Sequence, residues 1–278
     1  MSYFCSIWIA AVLGGGALAQ SASFEAASVK VSATQTGRGS MRGGPGTADP
    51  GQITFTNVTL FNVLLRAYDL QSFQLSAPDW LSTRRYDIAA KVPPGASKDE
   101  GNRMLQSLLA ERFRMEVHRE TRELQGFELV AGRNGSKLKA AVDAGPGAPA
   151  DESGPPKTGA DGYPILNGPG LVFMEGVSGR SVVTFLTARA QPLSALVQLL
   201  TREFRMPILD KTGLDGKFDF KLEFAPQAPG ALPAEPTDDS AANLTTAVQQ
   251  QLGLRLSPAK VASVMVVVDR ANPVPTEN

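Results

Sequence analysis

The stretch 105–133, LQSLLAERFRMEVHRETRELQGFELVAGR, carries a helix, its exit and a strand pair in unbroken succession, and its reading decides the fold. Leu105, Leu108, Leu109 and Phe113 recur at helical spacing and share one face, while Gln106, Glu111 and Arg112 fall elsewhere. After Phe113 the period changes to two. Met115 and Val117 alternate with Glu116, His118 and Glu120, as a half-buried strand requires. Gly126 reads as a break, with a second strand at 127–131. The same order returns at 244–270, LTTAVQQQLGLRLSPAKVASVMVVVDR: a helix ending at Gly253, a short strand 254–256 and a strongly apolar strand 264–268.

Upstream, 24–31 (FEAASVKV) reads as a leading strand, followed by a Gly-rich loop at 37–51. A phosphate cradle needs a Lys and a following helix; this loop has neither, so it reads as a connector. Strand 53–58 leads to a helix capped by Thr59, with Leu60, Val63, Leu64 and Ala67 on one face. An extended piece at 73–76, the turn APDWL at 77–81 and strand 85–92 complete the first half. Residues 141–163 are almost all Ala, Gly, Pro, Asp, Ser and Lys and read as a flexible linker. Beyond them come strands 171–175 and 182–189, a helix with Leu193, Leu196, Val197 and Leu200 on one face, and a short strand 206–209. The turn DKTGL at 210–214, strand 217–224 and a Pro-rich insert at 225–240 precede the last helix.

The fold class is therefore α+β, two tandem repeats of a βαβ-βαββ module, spanning 24–140 and 164–278. Leu60, Val63, Leu64 and Ala67 correspond to Leu193, Leu196, Val197 and Leu200; Arg85-Tyr86-Asp87 correspond to Lys217-Phe218-Asp219.

At 278 residues, 42% hydrophobic and 19% charged, the chain has a globular composition. Lys plus Arg and Asp plus Glu both total 27, so no net field points to nucleic acid or an anionic membrane. The first nineteen residues lack any Asp, Glu, Lys, Arg or His and end in Ala17-Leu18-Ala19, which reads as a signal peptide cleaved after Ala19. Residues 1–19 contain the single cysteine, Cys5, so the processed chain is expected to have no disulfide, thiol nucleophile or thiolate metal site. No other segment is long and apolar enough to cross a membrane. A periplasmic or secreted location follows.

The runs FEAASVKV, APDWLSTRRYDIAAKVP, LQSLLAERFRMEVHRETRELQGFELV, PILDKTGLDGKFDFKLEF and AVQQQLGLRL, with the ending VVVDRANPVPTEN, resemble a large Solibacter-type family of exported acidobacterial proteins of unknown function. Some of its members carry this region fused to a membrane metallopeptidase of the penicillin-sensor type; this chain has no HExxH. Each half also looks like the short N-terminal domain of secretins and TonB-dependent receptors, a module for contacts between periplasmic proteins. That second likeness rests on QPLSALVQLL followed by AVQQQLGLRL.

Three stretches imitate catalytic motifs. Asp210-Lys211-Thr212-Gly213 resembles an aspartyl-phosphate loop, but Leu214 stands where Thr is needed, and a turn with Gly213 left-handed explains it. Ser257-Pro258-Ala259-Lys260 matches SxxK and Lys211-Thr212-Gly213 matches KTG, in the wrong order and outside a helix. His118 is the only histidine; carboxylates two residues away make a poor zinc site, and no GxSxG elbow accompanies it. No cofactor or metal is expected. The favoured reading is a non-enzymatic binding protein that contacts an envelope partner through His118, Arg119 and Glu120, with Asp79, Trp80 and Arg84 around the PDW turn as second candidates. The alternative is an envelope hydrolase using His118 or Ser257 with Lys260.

Overall fold

The computed structural model describes residues 22–141, 157–226 and 242–276. The expected signal peptide, most of linker 141–163 and most of insert 225–240 lie outside the described residues. In chain order the first half runs β1 (Ala26–Val31), β2 (Ser40–Gly43), β3 (Gln52–Thr59), α1 (Leu60–Ala67), β4 (Leu75–Ser76), α2 (Trp80–Thr83), β5 (Arg85–Lys91), α3 (Lys98–Phe113), β6 (Glu116–Ala131) and β7 (Lys139–Ala140). The second runs β8 (Gly170–Ser178), β9 (Ser181–Pro192), α4 (Leu193–Phe204), β10 (Ile208–Asp210), β11 (Lys217–Phe224), α5 (Leu244–Leu252) and β12 (Leu254–Arg270). Helices and sheets are thus mixed along the chain, an α+β fold.

The residues gather into two compact units that do not follow chain order. Among the described residues, one takes those up to Asp69, Asp79–Glu116 and those from Arg270 onward; the other takes Leu70–Pro78 and those between Val117 and Asp269. The sequence reading placed its modules at 24–140 and 164–278, divided at the linker. The observed units divide instead on either side of β4, at the start of β6 and at the end of β12.

The first unit holds the antiparallel sheet β1-β5-β3-β2. The stretch read as a plain glycine connector contains β2, which forms a hairpin with β3: Met41 faces Phe55, and Gly43 turns at φ 75° with no room for a side chain beside Gln52 O. Thr59 caps α1 by accepting from the Asn62 N–H at 3.3 Å, and Leu60, Val63, Leu64 and Ala67 are fully buried. Ser97 and Glu100 form a capping box that starts α3, whose Leu105, Leu108, Leu109 and Phe113 enter the core. Tyr86 is fully buried, edge-on to Phe113 at 5.1 Å, and its hydroxyl donates to Pro273 O at 2.8 Å. The chain beyond Arg270 is thereby pinned to this core.

The second unit holds the antiparallel sheet β7-β11-β9-β8 and the mixed sheet β10-β6-β12-β4. Leu193, Leu196, Leu199, Leu200 and Phe204 of α4 pack with Leu244, Ala247, Val248 and Leu252 of α5 in one apolar cluster. Val197, read onto the buried face of α4, is only half-buried. In the mixed sheet β10 runs parallel to β6, Ile208 beside Phe127, and β4 runs parallel to β12, Leu75 beside Val266.

Two breaks expected from the sequence are absent. Residues 116–117 and 127–131 belong to one sixteen-residue strand, β6, which starts just after Met115, and 254–256 and 264–268 to one seventeen-residue strand, β12. The intervening charged residues stay extended because their backbone groups pair with the neighbouring strand. Pro258 is tolerated inside β12 because β4 pairs only with Val266 and Val267, leaving the edge beside Pro258 without a strand that needs its N–H. Gly126 is no terminator either. It clears space for β10: an added Cβ would lie 2.2 Å from Pro207 O, the oxygen that accepts from the Phe127 N–H at 3.0 Å.

One local device occurs in both antiparallel sheets. Asn57 in β3 (φ 55°) and Ala190 in β9 (φ 49°) are left-handed non-glycine residues. The N–H of each donates at 2.7 Å to a carboxylate of the adjacent strand, Asp87 in the first case and Asp219 in the second. Such a bond offsets the roughly 1–2 kcal/mol that a left-handed conformation costs.

Gly126→Ala is expected to lower unfolding free energy by about 2 kcal/mol or more, because backbone must move to admit the methyl group. Urea denaturation followed by circular dichroism measures this; an unchanged midpoint would refute the close approach of β10.

Candidate functional site

Residues 117–125 of β6 form a strand in which no side chain is buried. The sequence explains why: between Val117 and Leu124 every residue is polar or charged. His118 Nδ1 sits 2.9 Å from both carboxylate oxygens of Asp269 on β12, with the two side chains 50% and 45% exposed. An ionised Asp only accepts, so this contact requires the proton on Nδ1. Glu120 pairs with Arg122, two residues along on the same strand face. Arg119 is exposed. The three predicted contact residues are therefore side by side on one solvated strand.

Asp79, Trp80 and Arg84 fall in the other compact unit. Asp79 stands at the N-cap of α2, where its carbonyl, not its carboxylate, accepts from the Ser82 N–H at 3.0 Å. Trp80 is half-buried, and Leu81 is the fully buried anchor of this turn. Arg84 is exposed and hydrogen-bonds to Tyr86, whose hydroxyl is pushed up by burial and partly drawn back by that arginine. The turn therefore presents Asp79 and Arg84 to solvent and uses Leu81 for packing.

The catalytic look-alikes have structural explanations. Asp210 Oδ1 accepts from both the N–H and the hydroxyl of Thr212, at 2.9 and 2.8 Å, and Gly213 follows at φ 67°, so DKTG is a side-chain-stabilised turn. Ser257 and Lys260 lie three residues apart in β12, which sets them on opposite faces of the strand rather than on one helical face. Among the described residues no three His, Cys, Asp or Glu side chains gather to hold a metal ion.

A cavity of about 430 Å³ opens in the second unit, on the face of β9 and β11 that carries their polar side chains. Thr187 and Arg189 come from β9, Asp219 and Lys221 from β11, and Lys137 and Lys139 from the chain around β7. The register makes Lys221 the cross-strand neighbour of Thr187, and Lys139 the neighbour of Asp219. Tyr163 stacks edge-on against Phe185 at 5.0 Å, and Lys221 Nζ lies 4.9 Å above the Tyr163 ring while pairing with Asp161. The hydrogen bond from Lys221, helped by the Tyr163 N–H, holds the Asp161 carboxyl below its ordinary value of 3.8. Sequence reading placed none of these residues in a site. The alternation in KFDFKLEF puts Asp219 and Lys221 on one strand face, but only the strand order brings Lys139, Thr187 and Arg189 beside them.

A second cavity, about 440 Å³, lies in the first unit beside Pro45, Arg66 and Gly101. Its guanidinium is already committed: Arg66 lies over the Phe55 ring at 5.2 Å and donates to Gly43 O at 2.9 Å, and burial lowers its proton affinity.

Asp161, depressed in the folded state, contributes stability above its ordinary value and loses that contribution as pH falls through the lower folded value. Asp161→Asn is thus expected to flatten the fall in melting temperature below pH 3.8, compared with the parent chain. An equally steep acid limb in the variant would contradict the pairing with Lys221. His118→Ala should change stability by less than about 1 kcal/mol, as for an exposed ion pair. The same variant should leave the metal content unchanged by elemental analysis, and a stoichiometric zinc lost with the histidine would overturn this assignment.

Among the described residues no helix is long and apolar enough to cross a membrane. No curated protein and no solved structure matches the chain. A family profile described as a protein of unknown function, DUF3738, matches residues 62–271, from within α1 to just past the end of β12. The chain belongs to the DUF3738 family of proteins of unknown function.

Proposed function

We propose that this chain is an exported, non-enzymatic binding protein of the periplasm or extracellular space, built from two copies of one α+β module, which recognises a protein of the cell envelope. The observation that carries this reading is the strand at 117–125, paired through its backbone yet burying no side chain. A strand kept extended without a core to cover offers side chains of fixed spacing to a partner, and His118, Arg119 and Glu120 are its centre. The mixed charges there suit a polar protein surface, whose complementarity would set specificity and encounter rate. Export is supported by the uncharged first nineteen residues ending in Ala17-Leu18-Ala19. The resemblance to exported acidobacterial proteins, and to the contact modules of secretins and TonB-dependent receptors, points the same way. Two module copies are supported by the shared succession strand, helix, short strand, strand, helix, long strand, and by the matching roles of Asp87 and Asp219.

The hydrolase alternative needs His118 or Lys260 beside an activated hydroxyl. The separation of Ser257 and Lys260 onto opposite strand faces supports binding over hydrolysis, whereas the pairing of His118 with Asp269, which a catalytic histidine also makes, favours neither.

Replacing His118, Arg119 and Glu120 together by Ala is expected to weaken capture of the partner from envelope extracts by at least about tenfold, the loss of roughly 1.4 kcal/mol. Circular dichroism of the variant should match the parent. Undiminished capture by a folded variant would move the surface elsewhere.

A further inference from the structure

We infer that the cavity between β7, β9 and β11 binds a small organic anion, its carboxylate or phosphate head held by Thr187, Arg189 and Lys139 and its apolar body lying along Leu166 and Leu252. This site is independent of the strand surface at 117–125. Four cations line the cavity, Lys137, Lys139, Arg189 and Lys221, against one carboxylate, Asp219, whose Oδ1 already accepts from the Ala190 N–H. Lys221 is held by Asp161, and Lys137 donates to Gln250 O at 2.7 Å. The Lys139 ammonium has no hydrogen bond or ion pair among the described residues, and Arg189 gives one N–H to Leu166 O at 3.1 Å, keeping further donors of its fork. The unmatched positive charge therefore concentrates at Lys139 and Arg189.

The Thr187 hydroxyl is the second, separate observation. Thr187 is 91% buried, at 9% exposure, and lines the cavity, yet its Oγ1 has no hydrogen-bond partner among the described residues. Buried hydroxyls are almost always satisfied, so this one is a donor waiting for an acceptor. It stands two residues from Arg189 on the same strand face and opposite Lys221 in register. A hydroxyl between cations matches an oxyanion: the cations supply charge, the hydroxyl a directed bond. The apolar remainder of the wall excludes inorganic ions as the best fit and favours an anion with a hydrocarbon part. The volume falls within the range of small-molecule sites.

The test uses the full chain with octanoate, octyl phosphate and, as a neutral control, octanol, followed by calorimetry and amide chemical shifts. At least one of the two anions should bind saturably and shift the amides of Thr187 and Arg189. Tighter octanoate marks a carboxylate head, and tighter octyl phosphate a phosphate head. Thr187→Val should weaken the bound anion about tenfold while melting at the same or a higher temperature, because it removes an unpartnered hydroxyl without changing shape. Lys139→Ala, at an exposed position that carries no packing, should weaken it similarly. Failure of both anions to saturate, octanol binding as tightly as either, or unchanged affinity in both variants would overturn the site.

Discussion

The pairing of β6 with β12 is the constraint on which the second unit depends. These are the two longest strands, and contacts at Gly132–Gly253 near one end and His118–Asp269 near the other show that they run in opposite directions. Their close approach is set by glycine: the Gly132 N–H donates to Gly253 O at 2.7 Å, and a Cβ on Gly132 would lie as near to that oxygen. Gly253 serves twice, ending α5 in a left-handed conformation and lying too close to Gly135 O for any side chain. On each flank the ribbon accepts a short parallel strand. β4, from the first half of the chain, joins β12 from the second; β10, from the second half, joins β6 from the first. The sheet is thus closed only when residues almost two hundred apart in sequence, such as Leu75 and Val266, have met. Such non-local pairing predisposes a chain to slow folding.

Helices were the most legible part of the sequence, because a helix states its buried face in its own spacing. Leu60, Val63, Leu64 and Ala67 are all buried, and so are Leu105, Leu108, Leu109 and Phe113. The paired motifs around Asp87 and Asp219 were legible too, although their purpose, locking a left-handed residue on the next strand, was not. Strand ends were misread for a physical reason. Sequence patterns report burial, whereas strand continuity is fixed by backbone hydrogen bonds, so one continuous strand read as two, split at Gly126. Gly126 was misread likewise, since the residue records a close approach by Pro207 that no local pattern contains.

The candidate sites divide along the same line. His118, Arg119 and Glu120 could be picked out as an exposed polar run, because a run is a local property. The partner of His118, Asp269, is 151 residues away and could not be. The cavity is wholly a product of topology: Lys139, Thr187 and Lys221 come from three strands that only the order β7-β11-β9 makes adjacent. Its most informative feature, an unsatisfied buried hydroxyl, belongs to a threonine that in sequence is one polar residue in an ordinary strand.

The interleaving of the two halves in the sheet β10-β6-β12-β4 is the central structural claim, and backbone nuclear Overhauser effects in an isotope-labelled sample test it directly. Cross-strand effects linking Ile208 with Phe127, and Leu75 with Val266, are the result the account predicts. Effects placing each short strand against the long strand of its own half, Leu75 on β6 and Ile208 on β12, would contradict it.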